Sequence, residues 1–415
     1  MAGALEIPIT LAHARGAYTA TARFGEQAEP ANLVLDTGSS TLALHARTYD
    51  PDRDGRLQAT PWVQEIRYGG GALAGPVLRS RLAFGHGHHQ RAIEDAVFAL
   101  IESDTPFLQG ADGLWGLAYR GLDPAYDVSS LLASQGHEPA LSWPWPYGSG
   151  HDLDLARFDQ FVHTLPRTHL TPAFTALEAE GVLRNRFGFL ARRSLLHMAG
   201  HDGGPAHDPL NQGVLVLGGG EAQQHLHDGH FQAVRIVHDL HYDANLRAVQ
   251  VGTEAPIPVP PFHATGTSGP QGNALLDTGS SFLILESEAW RAVMAAFARH
   301  DARFPALVER GRAGLAPEAG LPNIAIDCPS WPDLHLVLEA PGGGESRLRI
   351  PASAYWQHNA LQAGRCQCLL APQLPDFPGR SILGLPLFAG RYAVFDRAAA
   401  GGIGEVRLAG ARGAG

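Results

Sequence analysis

The chain has 415 residues, of which 45% are hydrophobic and 17% charged, a composition that can bury a core and excludes a wholly disordered or coiled-coil protein. This length favours two lobes of roughly 200 residues each over one compact unit. The 49 glycines and 30 prolines indicate many short strands and turns, so we expect a mainly β fold.

The charge pattern excludes several classes of function. The sequence contains no lysine, and all 31 of its Lys+Arg side chains are arginines, which excludes Schiff-base chemistry and a P-loop lysine. A formal net charge of −10 without a dense arginine run argues against nucleic-acid binding. No apolar stretch is long enough for a membrane span, and the first residues lack the features of a secretory signal. We therefore expect a cytoplasmic monomer that binds neither nucleic acid nor membrane.

A repeated segment is the most informative feature of the sequence. NLVLDTGSSTLAL, around Asp36, returns as NALLDTGSSFLIL around Asp277. Each copy reads as an apolar strand, an acidic turn and a second apolar strand. The two copies lie too far apart for a solenoid period, so the repeat predicts two homologous lobes that are each built around the same turn.

The repeated turn has a chemical meaning. A carboxylate at the end of a buried strand is costly unless its charge is hydrogen-bonded or shared. Gly38 and Gly279 let the backbone bend, and the adjacent threonine and serine hydroxyls can hold the carboxylates. If the lobes face each other, Asp36 and Asp277 form a pair that shares one proton, with one general base and one general acid. Such a pair activates water without a metal or another cofactor.

Three further segments strengthen this interpretation. In chain order they are YGGGALAG from Tyr68 to Gly75, DGLWGLAY from Asp112 to Tyr119, and SILGLPLF from Ser381 to Phe388. The first resembles the flap hairpin of the pepsin family of aspartic endopeptidases, and the other two resemble the apolar-Gly segment that follows each catalytic turn of that family. The two DTGSS turns resemble the catalytic turns themselves. The resemblance covers nearly the whole chain and implies a mainly β, bilobal fold with a cleft between two homologous lobes.

The resemblance also implies a domain division and an activity. The N-terminal lobe would span 1–222 and carry the first turn, the flap and a long insertion at about 122–168, and the C-terminal lobe would span 223–415. The implied activity is that of an aspartic endopeptidase with an acidic pH optimum. Its substrate would be a peptide or an unfolded protein, and it would need no cofactor.

Site residues follow from the resemblance position by position. The catalytic pair would be Asp36 and Asp277. The turn residues that support the pair would be Thr37, Gly38, Ser39, Thr278, Gly279 and Ser280, the threonines joining the two turns and the serines bonding the outer carboxylate oxygens. The substrate-binding flap would be Tyr68, Gly69 and Gly70. Gly116 and Gly384 would pass close behind the turns.

Two departures from the family pattern concern the flap and the insertion. Ala43 stands where the family often has a tryptophan that supports the flap tyrosine. The long insertion contains Trp143, Trp145 and Tyr147, which fit either a satellite core beneath a loop or a surface that contacts substrate.

Two alternative functions remain open from the sequence. A catalytically silent homologue that binds peptides or inhibitors is compatible with Ala43. A less favoured alternative is a metal-dependent hydrolase, because the dipeptide His-Asp occurs six times and His86, His88 and His89 are clustered. The Gly-broken context of these histidines favours an exposed hairpin tip, so we expect no metal site.

The three cysteines are too few for a disulfide framework. The resemblance implies an optional bridge between Cys328 and either Cys366 or Cys368, with one thiol always free.

Overall fold

The structure is a computed structural model that describes residues 3–85, 90–105, 107–148, 152–200, 202–263, 271–312, 316, 318–375 and 377–413. Within these residues, the strands in chain order are β1 Leu5–Thr10, β2 Thr19–Phe24, β3 Glu29–Asp36, β4 Leu42–His45, β5 Gln58–Tyr68, β6 Gly71–Phe84, β7 Arg91–Ile101, β8 Ser103–Asp104, β9 Gly113–Gly116, β10 Pro124–Asp127, β11 Arg167–His169, β12 Arg186–Ala191, β13 Gln212–Leu217, β14 Gln232–Arg235, β15 Asp243–Ala244, β16 Leu246–Val251, β17 Ile257–Pro258, β18 Ala274–Leu276, β19 Leu283–Leu285, β20 Leu321–Pro322, β21 Leu334–Glu339, β22 Glu345–Ile350, β23 Trp356–His358, β24 Arg365–Cys368, β25 Leu370–Pro372, β26 Ser381–Leu383, β27 Arg391–Asp396 and β28 Glu405–Gly410.

The α-helices of the described residues are fewer than the strands. In chain order they are α1 Ser129–Ser134, α2 Leu155–Val162, α3 Ala173–Ala179, α4 Ser287–His300, α5 Phe304–Gly311, α6 Ala352–Tyr355 and α7 Leu385–Phe388. In the described ranges, none of them has the length and apolar character that a membrane crossing requires. The predicted mainly β fold class is confirmed.

The chain divides into two compact units, Thr19–Leu183 and a larger unit of Met1–Tyr18 with Arg184–Gly415. The larger unit includes β1, β12 and β13 because β1 pairs with β13 and β12 pairs with β27. The boundary expected at residue 222 therefore lies inside this unit. The division into two lobes, 1–222 and 223–415, was expected from the repeated DTGSS segment and the family resemblance, and it stays a prediction.

In the smaller unit, the strands order as β11-β10-β5-β6-β7-β4-β9-β3-β2, and β2 also pairs with β6. The apolar run of β3 is buried on both faces, since Leu33, Val34 and Leu35 are all buried and β9 lies parallel beside them. A continuous apolar strand is what parallel pairing in a covered sheet requires.

The larger unit contains several sheets. Six strands follow the order β1-β13-β12-β27-β28-β14. The remaining sheets among the described residues follow the orders β15-β18-β26-β19-β25, β17-β16-β21-β22 and β20-β24-β23.

The two units repeat one local arrangement around the DTGSS turns. In the smaller unit, β3 before the turn lies parallel to β9, and β4 after the turn lies antiparallel to the same β9. In the larger unit, β18 lies parallel to β26 and β19 antiparallel to it. Each apolar-Gly segment found in the sequence therefore forms the strand that lies between the two strands flanking its turn.

Backbone crowding behind each turn explains the two glycines of these segments. A Cβ at Gly116 would lie 2.4 Å from the carbonyl carbon of Ser40, and a Cβ at Gly384 would lie 2.3 Å from the carbonyl oxygen of Phe282. Real Cβ atoms do not approach backbone this closely, so any larger residue must displace the turn.

The insertion folds onto the flap strand. Its strand β10 pairs with β5, and Phe158 of α2 joins Val63 and Tyr126 in one buried cluster. Trp145 and Tyr147 pack against this cluster, with their ring centroids 5.1 Å apart. Of the two interpretations of these aromatic residues, the structure favours the satellite core.

The optional disulfide is not formed. Cys328, Cys366 and Cys368 are all free thiols. The Cys328 Sγ atom instead lies 3.7 Å from the carbonyl oxygen of Trp356 and 3.8 Å from Nε2 of His358. Burial raises the pKa of Cys328 and Cys366, and it raises the pKa of Cys368 to about 12, so all three remain protonated at neutral pH.

Replacing Gly116 or Gly384 with alanine should lower the free energy of unfolding by about 3 kcal/mol, because the added methyl group overlaps backbone that cannot move without displacing the turn. Denaturant unfolding of each variant measures the loss. Gly344→Ala is the matched control, since its Cβ would have 3.9 Å of clearance from Ala340. Equal stability of all three variants would contradict the crowding argument.

Candidate active site

Asp36 ends β3 and is held by its own turn. Its Oδ1 accepts a hydrogen bond from the N–H of Gly38 at 2.7 Å, and its Oδ2 accepts one from the hydroxyl of Ser39 at 2.5 Å. Its carbonyl oxygen accepts from the N–H of Leu117, at 2.7 Å, in the apolar-Gly segment behind it. The carboxylate is buried, yet both oxygens have donors, as a buried charge requires.

Asp277 directly follows β18 and occupies a similar turn. Its Oδ1 accepts from the N–H of Gly279 at 2.8 Å. Its own N–H donates to the carbonyl of Leu383 at 3.1 Å, and Leu385 N–H donates to the carbonyl of Ser280 at 2.8 Å. Gly38 and Gly279 therefore have the same local role in the two turns.

The serines of the two turns differ. Ser39 bonds the outer oxygen of Asp36 as the sequence predicts. The Ser280 hydroxyl instead donates to the carbonyl of Phe282 at 3.2 Å. This acceptor differs from the expected one, because a serine hydroxyl readily bonds a backbone carbonyl close to it in sequence.

The two threonines of the turns, Thr37 and Thr278, are fully buried. Their burial is compatible with a structural role for both hydroxyls. The expected bond that joins the two turns through them stays a prediction.

The predicted flap is a β-hairpin. Tyr68 ends β5 opposite Gly71 at the start of β6, so Gly69 and Gly70 form a two-residue turn at the exposed tip. Glycines suit such tight hairpin turns because they adopt the backbone conformations that these turns need. The tip presents backbone groups with little side-chain bulk.

The structure brings the Tyr68 side chain and the Asp36 turn together. The Tyr68 hydroxyl is buried beside Ser39 and Thr41, and it forms no hydrogen bond of good geometry with the described residues. Burial, and then the nearby Asp36 carboxylate, raise the pKa of Tyr68, so its hydroxyl stays protonated. A neutral hydroxyl beside Asp36 can donate a hydrogen bond to a bound substrate or water.

A different aromatic residue supports the tyrosine in place of the missing tryptophan. The ring of Tyr68 stacks on Phe107 with centroids 5.0 Å apart and an interplanar angle of 30°. Ala43 is itself buried inside β4, opposite Leu114 of β9. The flap tyrosine is thus packed from the segment after β8.

Asp123 is a buried acid that sequence reasoning missed. Its Oδ1 accepts from the hydroxyl of Thr41 at 3.0 Å and from Nε2 of Gln64 at 2.7 Å. It thereby links Thr41, which directly follows the first DTGSS turn, to the flap strand. Burial raises its pKa to about 7 against these two hydrogen bonds, so its charge changes near neutral pH. No motif marks it, because its partners come from two distant segments.

A second missed group joins the flap strand to the insertion. Glu65 of β5 is buried, and Arg67 bridges it to Asp159 of α2, with Nε 3.1 Å from Glu65 Oε1 and Nη2 3.4 Å from Asp159 Oδ2. Burial, and then Asp159, raise the pKa of Glu65 to about 8. The half-exposed Arg67 opposes this shift but does not cancel it. Val63, Gln64 and Glu65 are all buried, so the two-residue period of a strand did not mark Glu65 as buried.

Glu65, Asp159 and His163 offer possible metal-ligand atoms that lie within 4.8 Å of one another. Each of them already has a protein partner: Arg67 binds both acids, and the Nε2 of His163 lies 2.9 Å from the Tyr126 hydroxyl. A guanidinium in this position repels a cation, so the group fits an ion-pair network better than a metal site. The clustered histidines His86, His88 and His89 lie outside the described residues.

Comparison with known families adds one finding. Residues 207–406 match the family model described as eukaryotic aspartyl protease. The matched range includes the second DTGSS turn and the apolar-Gly segment around Gly384. No curated protein matches the chain.

Glu65→Gln should change how stability depends on pH. A carboxyl whose folded pKa is raised contributes stability below its unfolded pKa and loses it as pH rises through the folded value, here about 8. Between about pH 5 and about pH 9 the unmodified chain should lose about 3 kcal/mol more stability than the glutamine variant. Urea unfolding across this range measures the difference. Glu180→Gln, at an exposed position, is the control, and an equal pH dependence in the wild type and Glu65→Gln would contradict the raised pKa.

Proposed function

We propose that the chain is a pepsin-like aspartic endopeptidase whose catalytic pair is Asp36 and Asp277, because residues 207–406 match the aspartyl protease family model and the DTGSS turn occurs twice. The observation that carries the proposal is the duplicated turn. In both copies a glycine N–H binds the aspartate Oδ1, at 2.7 Å and 2.8 Å, and a parallel apolar-Gly strand supports the turn. Two matched carboxylates are the minimum that this chemistry requires.

In the proposed reaction, one carboxyl of the pair is ionised and the other is protonated. The ionised carboxylate takes a proton from water as the water oxygen attacks the peptide carbonyl carbon. The protonated carboxyl donates to the carbonyl oxygen, which gives a neutral tetrahedral intermediate. Transfer of a proton to the nitrogen then breaks the carbon–nitrogen bond and releases a carboxylic acid and an amine.

The flap suggests how a substrate is held. Gly69 and Gly70 are exposed, so their backbone groups can bond an extended peptide as an added strand. The protonated Tyr68 hydroxyl beside Asp36 adds a donor near the reacting centre. An extended peptide or an unfolded protein is therefore the proposed substrate.

The competing proposal of a silent homologue rests on Ala43. Stacking of Phe107 on Tyr68 supplies support for the flap tyrosine that Ala43 does not provide, and both aspartates are present. These observations favour the enzyme over a binding protein.

Cleavage of an unfolded protein tests the activity. Asp36→Asn and Asp277→Asn should each lower kcat/KM by about 10³-fold or more, because each removes one member of the acid–base pair. Asp95→Asn, at an exposed position of β7, is the matched control. A statine-type inhibitor should abolish cleavage and a chelator should leave it unchanged. Loss of cleavage with the chelator would instead support a metal-dependent hydrolase, and no cleavage at any pH would support the silent homologue.

The pH profile tests the shared proton. Aspartic proteases are the standard example of such a pair, so we expect an acidic optimum, with activity lost as the last shared proton leaves. The Ser39 hydroxyl bonds the charged form of Asp36. Ser39→Ala removes this hydrogen bond and should therefore move the upper limb of the activity profile by up to about 1 unit toward higher pH.

Ser280→Ala is the matched control, because its hydroxyl bonds Phe282 rather than Asp277 and its removal should leave the limb in place. Peptide cleavage from about pH 3 to about pH 8 measures the pH profiles of the wild type, Ser39→Ala and Ser280→Ala. An optimum above about pH 7, or equal shifts in the two serine variants, would contradict the proposed mechanism.

A further inference from the structure

A large cavity lies in the larger compact unit, and no predicted site residue lines it. It has a volume of about 800 Å³ and lies among the segment after β12, the start of β27, and β23. This volume is within the range of cavities that bind small organic molecules. Neither aspartate, nor any residue of the flap, contributes to its lining.

The lining is strongly basic, although the chain as a whole is acidic. Four arginines contribute to it, Arg192, Arg193, Arg349 and Arg391, against the single carboxylate of Asp327. Arg349 is paired with Asp333, outside the lining, at 2.6 Å. Within the part of the chain that the structure describes, the other three arginines form no ion pair.

Neutral backbone groups hold two of these guanidinium groups in place. Arg193 donates through Nε to the carbonyl of Leu195 at 2.6 Å and through Nη2 to the carbonyl of His358 at 3.1 Å. These bonds use two of the five N–H donors of Arg193. Its position is therefore fixed without neutralising its charge.

Arg391 is held in the same way. It donates through Nη1 to the carbonyl of Leu387 at 2.7 Å and through Nη2 to the carbonyl of Arg349. Again two of five N–H donors are used. Arg193 lies two residues after β12 and Arg391 begins β27, so the two fixed guanidinium groups of the lining come from different segments and offer two anchoring points.

The electrostatic environment of these arginines is unfavourable without a counter-ion. Burial lowers the pKa of Arg193 to about 10 and, with the repulsion from Arg349, lowers the pKa of Arg391 to about 10. Both remain charged at neutral pH. The Asp208 carboxylate, which is paired with His197 of the lining, offsets part of the cost of burying the Arg193 charge. A bound anion would offset more of the cost at both arginines.

The lining also contains an apolar part, beside uncharged polar side chains such as those of Gln357 and Asn359. Trp356, Ile326, Pro329 and Pro351 contribute to it, and Trp356 is almost fully buried. An inorganic ion would leave this surface uncovered. A larger molecule with both charged and carbon-rich parts matches the lining better.

We propose that this cavity binds a small organic anion that carries at least two phosphate or carboxylate groups. Planar guanidinium groups bind such groups through two parallel hydrogen bonds, and two anchoring points select a ligand with more than one anionic group. The proposal is independent of peptide cleavage, since the cavity and the candidate catalytic residues share no residue.

Calorimetric titration of the full chain with pyrophosphate and with citrate, at constant ionic strength, tests the proposal. We expect saturable binding of at least one of them with a stoichiometry of one. Arg391→Lys keeps the charge but removes the planar fork, and Arg192→Ala removes a half-buried arginine. Each should weaken binding by about tenfold or more, the loss expected for a charge-assisted hydrogen bond.

Arg310→Ala is the matched control, because Arg310 is exposed on α5 and lies outside the cavity lining. Circular dichroism confirms that each variant is folded, and Arg192→Ala keeps the test usable if Arg391→Lys does not fold. Absence of saturable binding for both anions would overturn the proposal. So would equal weakening by Arg310→Ala, which would indicate unspecific attraction, or displacement of the anions by an acidic peptide that binds more tightly.

Discussion

The close approach of an apolar-Gly strand to the back of each DTGSS turn is the constraint on which the candidate site depends. Behind the first turn, Gly116 N–H donates to the carbonyl of Thr41 at 2.9 Å, and Leu117 N–H donates to that of Asp36 at 2.7 Å. Gly384 is held behind the second turn by a bond from its N–H to the carbonyl of Phe282 at 3.1 Å. Backbone bonds of this kind fix each aspartate at the end of a buried strand, independently of side-chain packing.

The two turns share a backbone frame but not the same side-chain chemistry. Asp36 has donors on both carboxylate oxygens, from Gly38 and Ser39, whereas Ser280 bonds the backbone of its own turn. The serine at the same position of each turn therefore has a different acceptor, although a glycine N–H bonds the aspartate Oδ1 in both turns.

The flap is tied to the rest of its unit through polar groups that change charge near neutral pH. Asp123 connects Gln64 of the flap strand to the first turn, and Glu65 connects the same strand to the insertion through Arg67 and Asp159. Both acids have pKa values raised by burial. The insertion therefore acts as a packed support for the flap hairpin, with a satellite core of its own around Phe158.

Local patterns in the sequence were sufficient to predict the mainly β class, the duplicated turn around Asp36 and Asp277, and the flap hairpin, whose first strand ends at Tyr68. These features depend on residues that are close in sequence: an apolar run, a glycine turn and a return strand. The tertiary structure decided the acceptor of Ser280, the burial of Asp123 and the support of Tyr68 by Phe107. It also decided the free state of the cysteines and the arginine-lined cavity. Each of these depends on groups from distant segments, whose meeting is set by packing and by competition among hydrogen-bond partners rather than by any local pattern.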